Sequence, residues 1–260
     1  MKILIAHDGS LSSDTAFEDM RRAGLPQDAK AFVVSIAGEA LPRGANAAKT
    51  IAEIASNRIQ SHFPLWKLSS EALSGSPAQV ILKTSEWWRP DLLIIGSDTF
   101  AVERSMTSGV PLEVVHRARC SVRVARAGAP ATAGPIRLVI GNNGSKACEA
   151  VVHEVARRHW PANTAAHLVS VVDDEQEHER IRAGHEDCIN HLRDAGLKVS
   201  QKFIDGDPRQ ELLRESERCN ADTIFVGPRC VHGMGRFLLG SVATAVVTRA
   251  RSTVEVVRKP

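Results

Sequence analysis

The sequence predicts an α/β protein built from two tandem doubly wound parallel-sheet domains, each Rossmann-like. The chain has 260 residues, which is enough for two domains of ordinary size. Short apolar runs typical of buried strands alternate with helical patterns, and that order is typical of parallel sheets. Four landmarks also recur in the same order at offsets between 131 and 135 residues, which indicates an internal duplication.

The duplicated landmarks cover both ends and the middle of each copy. They are an opening strand with a Gly-Ser turn (2–10 and 137–145), a Gly-x-Pro turn (75–77 and 206–208), an apolar strand after Asp (91–96 and 222–227) and a closing strand (120–126 and 252–258). Residues 127–135 between the copies are small residues, Gly and Pro, a composition typical of a linker. We therefore expect domains at 1–127 and 135–260.

Within each copy, the pattern predicts alternating strands and helices. The second strands are expected at Ala31–Ile36 and Ala165–Val171, and the fourth strands at Leu92–Ile95 and Thr223–Val226. Helices are expected after the second strands, at Ala45–Ser61 and at Gln176–Ala195, the latter closed by Gly196. Further helices are expected to start at Pro77 and Pro208. Ser10 or Ser12 is expected to cap the first helix of copy one, and Ser145 that of copy two. In such sheets ligands bind beyond the carboxyl ends of the strands, where the winding reverses.

Composition excludes several classes of protein. The net charge of +3 is small and the basic residues are scattered, so nucleic-acid binding is not expected. No apolar stretch reaches 18 residues, and the apolar start is too short for a secretion signal, so neither a membrane span nor export is expected. Five cysteines without a C-x-x-C spacing argue against disulfides and fit a reducing, cytoplasmic setting.

The loop after the fourth strand of the second copy, residues 227–242, has the composition of a phosphate-binding loop. Its glycines let the backbone approach an anion closely, and Gly240-Ser241 opens the last helix, whose N-terminus attracts negative charge. Arg229 and Arg236 add positive charge. The alternative interpretation is a glycine-rich surface loop ending in a Ser N-cap.

These motifs together resemble the universal stress protein family over nearly the whole chain, twice. That family carries Gly-x-x-Gly, nine residues and then Gly-Ser or Gly-Thr after its fourth strand. Gly227 matches the first glycine, Cys230 replaces the second, and Gly240-Ser241 closes the motif. The opening Ala6-x-Asp8-Gly9-Ser10 and the run 238–243 are also similar to the family. The resemblance implies an adenine-nucleotide alpha-hydrolase-like fold.

In the nucleotide-binding branch of the family, the acid after the first strand lies near the ribose, the end of the second strand contacts adenine, and the loop holds the phosphates. The resemblance therefore implies ATP, or AMP or ADP, as ligand. The implied cofactor-binding residues of the second copy are Asn143, Val171, Val226, Gly227, Arg229, Gly240, Ser241 and Val242. Their equivalents in the first copy are Asp8, Ile36, Ile95 and Gly96.

Both copies depart from the family motif. In the second, Asn143 stands where an acid is expected, although its amide still forms hydrogen bonds. In the first, Thr99 replaces the second glycine, the interval is interpreted as one residue shorter, and the closing pair is taken as Ser108-Gly109. Asp98 and Glu103 add negative charge to that loop. We therefore predict the nucleotide site in the second copy.

Other residues invite chemical interpretations. Three histidines in one helix (His178, His185 and His191) lie among carboxylates, but lack the His-Glu-x-x-His spacing, so we interpret them as a solvated face and predict no metal. His7 is either a proton donor or a turn residue, and Cys230 is either redox-active or a plain substitution. Trp87-Trp88 is more typical of core or interface than of ligand stacking.

The closing strands, 121–126 and 253–258, look like edge strands, which invite pairing. The family resemblance implies that they pair as in single-domain dimers, so we predict an intramolecular pseudo-dimer with an Arg123–Glu255 contact, and leave a homodimer open. The predicted function is a stress-response regulator binding ATP or AMP in the C-terminal domain. The alternatives are a non-nucleotide interaction or scaffold module and a slow ATPase, since no catalytic nucleophile or base is identifiable.

Overall fold

The structure, a computed structural model, describes residues 1–37, 42–97, 109–126, 134–172, 175–228 and 239–258, and within these it does not describe the side chains of 42–45, 175–180 and 183. The described residues fall into two compact units. The first contains 1–21 and 25–126, and the second contains 134–258 together with Arg22–Gly24. Both units have strands alternating with helices, and all strand pairs within them are parallel. The predicted fold class is confirmed.

The first unit is a parallel sheet flanked by helices. Its elements are β1 (Lys2–Ala6), α1 (Leu11–Arg21), β2 (Lys30–Ala37), α2 (Pro42–His62), β3 (Lys67–Ser74), α3 (Pro77–Trp88), β4 (Leu92–Ser97), α4 (Val110–Arg117) and β5 (Ser121–Arg126). The strand order is β3-β2-β1-β4-β5. The winding reverses between β1 and β4, where Ala6 pairs with Ile95.

The second unit repeats this arrangement. Its elements are β6 (Arg137–Gly141), α5 (Lys146–Ala156), β7 (Ala165–Val172), α6 (Glu175–Asp194), β8 (Lys198–Asp205), α7 (Pro208–Arg218), β9 (Thr223–Val226), α8 (Ser241–Arg249) and β10 (Thr253–Val256). The strand order is β8-β7-β6-β9-β10, and the winding reverses between β6 and β9, where Ile140 pairs with Phe225. The carboxyl ends of β6 and β9 are therefore neighbours, as ligand binding at a reversal point requires.

Burial explains why the central strands read as continuous apolar runs. Ile3, Leu4 and Ile5 of β1 are at most 1% exposed, since both faces of a parallel sheet are covered by helices. In the second unit, side chains of α5 and α6 pack with those of β6, β7 and β9. The members of this cluster include Leu138, Ile140, Val151, Val155, Leu168, Ile189, Leu192 and Phe225.

The predicted turns and caps are also present. Gly75 and Gly206 have φ of +131° and +137°, which favours glycine before the prolines that begin α3 and α7. Gly196, two residues after the end of α6, has φ +82°, as expected for a left-handed helix stop. The predicted packing of 121–126 on 253–258, with its Arg123–Glu255 contact, stays a prediction. Of the helices that the structure describes, none has the length and apolar character needed to cross a membrane.

Candidate functional site

The turn after β1 is shaped by two side chains that accept backbone hydrogen bonds. The Gly9 N–H donates to His7 Nδ1 (3.2 Å), and the Ser10 N–H donates to Asp8 Oδ1 (2.9 Å). The Ser13 hydroxyl, at the start of α1, also donates to Asp8 Oδ1 (2.8 Å). Burial alone would raise the pKa of Asp8, but the hydrogen bonds from Ser10 and Ser13 outweigh it and lower that pKa below its ordinary value. Asp8 is thus held as a carboxylate at the carboxyl edge of the sheet.

The turn after β6 has the same hydrogen bonds with different side chains. The Gly144 N–H donates to Asn142 Oδ1 (3.0 Å), and the Ser145 N–H donates to Asn143 Oδ1 (3.2 Å). The Cys148 thiol donates to the same Asn143 oxygen (3.0 Å), as the hydroxyl of the equivalent serine does in the first unit. Ser145 caps α5 by accepting from the Cys148 N–H, as predicted. Cys148 was missed from the sequence, although aligning the two turns position by position would have identified it.

His7 acts as a turn residue in the structure. Its Nδ1 accepts from Gly9, its Nε2 lies 3.2 Å from Asp14 Oδ1, and its ring stacks on Phe17 with centroids 4.7 Å apart. Burial lowers the pKa of His7 more strongly than Asp14 raises it, so the imidazole is favoured in its neutral form. These contacts occupy both ring nitrogens and favour the structural interpretation of His7.

Helices pack closely against the glycines at the carboxyl ends of the two fourth strands, β4 and β9. A Cβ on Gly96 would lie 2.6 Å from Ser12 C and 2.7 Å from Ser13 Cα, both backbone atoms of α1. A Cβ on Gly227 would lie 3.2 Å from the Cβ and the carbonyl oxygen of Ala147 in α5, a tight contact that can relax more easily. Helix packing is therefore a second reason for glycine at both positions, beside the approach of an anion.

The two loops close at equivalent glycines, which corrects the predicted alignment. Gly109 is the N-cap of α4 and Gly240 is the N-cap of α8, both with extended backbone. Nine residues, 100–108 and 231–239, separate these caps from the second-glycine positions Thr99 and Cys230. The first interval is therefore not shorter. The error came from pairing Ser108 with Gly240, whereas the helix start pairs Gly109 with Gly240.

The N-termini of α4 and α8 differ in the donors that they offer to an anion. In α8 the first intrahelical bond runs from the Thr244 N–H to the Gly240 carbonyl (2.9 Å), which leaves the N–H groups of 241–243 without helical partners. Ser241 adds an exposed hydroxyl at the first helical position. In α4 the second position is Pro111, which has no N–H, and the first is Val110. The second unit therefore presents the better-equipped helix N-terminus.

The remaining predicted positions lie at strand ends or outside the described part of the chain. Val171, next to last in β7, is 8% exposed, and Val226, at the end of β9, is 3% exposed; these two strands flank β6. In the first unit, Ile36 is partly buried in β2 and Ile95 is buried in β4. Arg229, with Cys230 and the rest of 229–238, lies outside the described residues, as do Asp98, Thr99 and Glu103.

The histidines of α6 do not form one solvated face, and that prediction is wrong for His185. His185 is 1% exposed and its ring lies 4.9 Å from that of Phe203, whereas His191 is exposed and contacts His153 of α5. The side chain of His178 lies outside the described residues. Among the side chains that the structure describes, no cluster of three or more His, Cys, Asp or Glu residues could hold a metal ion.

The tryptophan pair packs beside β2. The Phe32 ring lies 5.9 Å from that of Trp87 and 5.7 Å from that of Trp88, while Trp87 remains 64% exposed. These contacts agree with a packing role for the pair.

Comparison with known proteins agrees with the duplicated fold. A crystal structure of a universal stress protein from Archaeoglobus fulgidus DSM 4304 is similar, with a TM-score of 0.73 over 99% of this chain and 96% of that chain, at 19% identity. A functionally unknown protein from Pseudomonas aeruginosa PAO1 is similar with a TM-score of 0.68 over 99% of this chain and 92% of that chain, at 17% identity. At these identities the two similarities show the fold.

The sequence comparisons identify the family. A universal stress protein from Methanocaldococcus jannaschii is 38% identical over 65 residues, a match that spans 25% of this chain and 38% of that relative. The model of the universal stress protein family matches residues 1–126 and 137–258. Because these two segments contain every strand and helix of the two units, the chain belongs to the universal stress protein family, as a tandem of two copies.

Proposed function

We propose that the second unit binds an adenine nucleotide, ATP or its products AMP and ADP, and that the bound state serves as a signal in a stress response. The observation that carries the proposal is the N-terminus of α8, where three N–H groups and the Ser241 hydroxyl are available to phosphate oxygens. Gly240 precedes them without a side chain. The family's nucleotide-binding branch uses this same position for the phosphates.

The other assignments follow the order of the strand ends. Asn143, after β6, is proposed to contact the ribose, and Val171, at the end of β7, to contact adenine. Val226 and Gly227 would line the start of the phosphate loop, Gly240, Ser241 and Val242 its end, and Arg229 would add charge. An amide at position 143 still forms hydrogen bonds with a ribose hydroxyl, so the change from an acid alters this contact without removing it.

The first unit is proposed to have a structural role without nucleotide, because it lacks the phosphate-binding features of the second unit. Pro111 removes one donor from the N-terminus of α4, and Val110 replaces the hydroxyl that Ser241 supplies. The loop sequence also contains Asp98 and Glu103, whose charge opposes phosphate. Asp8 keeps the acid of the family motif, but a ribose contact alone gives little affinity without a phosphate site.

Calorimetry of ATP and AMP binding to the full chain tests the proposal, with Gly240→Asp and Gly109→Asp as a matched pair. Both glycines have negative φ, and Asp is a favoured N-cap, so both variants should keep their helices. In Gly240→Asp the new carboxylate competes with phosphate for the N–H groups of α8, and we expect binding to be lost. Gly109→Asp should bind as the parent chain does. Equal binding by both variants, or no binding by the parent chain at millimolar nucleotide, would contradict the proposal.

Measurements on the same purified protein distinguish the two alternative functions. If purified chain releases no nucleotide on denaturation and binds none in calorimetry, the interaction or scaffold hypothesis is favoured. A slow ATPase would release inorganic phosphate from ATP faster than its Gly240→Asp variant does. His7 is held in its turn by contacts with Gly9 and Asp14, which leaves it poorly placed to act as a general base.

A further inference from the structure

Two exposed histidines face each other across α5 and α6 in the second unit. His153 Nδ1 lies 2.9 Å from His191 Nε2, and the two rings meet at 69° with centroids 4.4 Å apart. In this hydrogen bond one nitrogen donates its proton and the other accepts with its lone pair. When the donating imidazole takes its other tautomer, with the proton on its second ring nitrogen, both facing nitrogens carry lone pairs directed into the same small space at the protein surface.

The backbone under this pair is held by the core. Val152 and Val155, beside His153, are buried in the main apolar cluster of the second unit, and Leu192, beside His191, is completely buried there. Ile189 packs in the same cluster. Both histidines lie in the last turns of their helices, and the buried residues near each of them hold the backbone in place. A ligand at the pair would therefore meet two side chains on a fixed backbone, which reduces the entropy cost of binding.

The spacing of the nitrogens matches metal coordination. Imidazole nitrogens bind divalent transition metals at about 2.0–2.1 Å. Two such bonds at a right angle place the nitrogens about 2.9 Å apart, while a tetrahedral angle places them about 3.3 Å apart. The observed 2.9 Å therefore fits neighbouring positions of a tetragonal or octahedral ion, the geometry of Cu²⁺ and Ni²⁺ with nitrogen ligands.

Carboxylates on the same faces of α5 and α6 favour a cation. Glu149 and Asp187 stand four residues before His153 and His191, so each shares a helix face with one of the histidines. Burial raises the pKa of the Cys188 thiol, and the negative charges of Glu149 and Asp187 raise it further. The nearby Arg157 is paired with Glu154 and so contributes little net positive charge.

We propose that His153 and His191 form a surface site for one divalent transition-metal ion, Cu²⁺ in preference to Ni²⁺, with water completing the coordination. Cu²⁺ ranks first because nitrogen ligands hold it more tightly than other divalent ions of this series. The site is independent of nucleotide binding, because the nucleotide is assigned to the strand ends and to α8. Ion binding would link the C-terminal turns of α5 and α6.

The test uses the tag-free full chain, with CuCl₂ and NiCl₂ as probes, in calorimetry and in electron paramagnetic resonance of the Cu²⁺ complex. We expect one ion per chain, a Kd on the order of micromolar for Cu²⁺, and a spectrum with nitrogen ligands. His153→Gln and His191→Gln should each weaken binding at least about tenfold, because each removes one of two protein ligands.

His62→Gln is the matched control. His62 is also exposed near a helix end, where its Nδ1 contacts the Arg58 carbonyl oxygen and the Ser61 hydroxyl of its own helix, and no histidine faces it among the described residues. This variant should bind Cu²⁺ as the parent chain does. Circular dichroism checks that all three variants remain folded. Unchanged Cu²⁺ affinity in both His153→Gln and His191→Gln, or an equal loss in His62→Gln, would overturn the proposal.

Discussion

At position 143 the second unit has an amide where the first unit has a carboxylate, and the turn is unchanged. Asn143 Oδ1 accepts from a backbone N–H and a thiol, as Asp8 Oδ1 accepts from a backbone N–H and a hydroxyl. Because one oxygen takes both donors, Asp8 retains a second carboxylate oxygen and Asn143 retains its amide nitrogen. The turn therefore presents an acceptor to a ligand in the first unit and a donor in the second.

Gly96 shows how a single residue can be fixed by packing. We expect Gly96→Ala to lower the free energy of unfolding by about 3 kcal/mol or more, because the added Cβ overlaps the backbone of Ser12 and Ser13. Gly227→Ala should cost about 1 kcal/mol, since its Cβ meets Ala147 at 3.2 Å. Urea denaturation measures both. Gly184→Ala is the control: its Cβ would meet nothing within 4 Å, and replacing a helical glycine should stabilise by up to ~1 kcal/mol. Equal losses at Gly96 and Gly184 would contradict this explanation.

His185 gives the protein a predictable sensitivity to acid. It is 1% exposed, and neither of its ring nitrogens has a hydrogen-bond partner among the described residues. The Ser170 hydroxyl also has no partner there, and Ser170 pairs with Phe203 in the neighbouring strand. Burial lowers the pKa of His185 below its ordinary value of 6.5. Below that pH the unfolded chain therefore binds a proton that the folded chain resists, so stability falls as the pH drops.

We expect His185→Phe to stabilise the protein by about 1 kcal/mol at pH 7.5, because it removes unpaired buried nitrogens and keeps a ring against Phe203. The gain should be larger at pH 5.5, where the parent histidine opposes protonation. Urea denaturation at the two pH values measures the difference. Some acid sensitivity should persist, since burial also lowers the pKa of His7 and His167. A gain that is the same at both pH values would count against a buried neutral histidine.

At the scale of elements, the strands and most helix ends were predictable because each follows from local chemistry. Pro77 and Pro208 begin helices as expected, and Gly196 ends one. The predicted loop alignment failed because it matched Ser108-Gly109 with Gly240-Ser241 by composition. The position of a helix start depends instead on which residue is the N-cap, and the N-caps are Gly109 and Gly240. The backbone bond from Glu113 to Gly109 decides the alignment, and the sequence does not display it.

The comparison of α4 with α8 predicts a selective change in ligand affinity. Val242→Pro copies Pro111 into α8, where proline at the second helical position is compatible with the fold, as α4 shows. The variant loses one N–H donor to phosphate, worth about 1.5–3 kcal/mol, so ATP affinity should fall about tenfold or more. Val242→Ala keeps the N–H and should bind as the parent chain does. Calorimetry gives the affinities, and thermal melting should show unchanged stability. An equal loss in both variants would assign the effect to the side chain.

For the whole molecule, duplication was predictable from sequence because the apolar runs and glycine turns must recur wherever the same fold recurs. Buried charge pairs were not. Arg123 in β5 pairs with Asp19 of α1, whereas the equivalent Glu255 in β10 pairs with Arg158 of α5, so the two units reverse the signs of strand and helix. Both pairs lie within one unit, yet the partners are about 100 residues apart in sequence. No local pattern connects residues at that separation.

The inequality of the two units predicts that nucleotide protects only half of the chain. At a nucleotide concentration of 100 times Kd, binding stabilises the native state by about 2.7 kcal/mol, and the effect is confined to segments whose opening breaks the site. Amide hydrogen exchange read by mass spectrometry should therefore slow in peptides from 137–172 and 223–256 when ATP is added, and stay unchanged in peptides from 2–97. Gly240→Asp should abolish the protection, while Gly109→Asp should leave it intact. Equal protection of β1–β4 would mean that the first unit also binds, despite the proline at the start of α4.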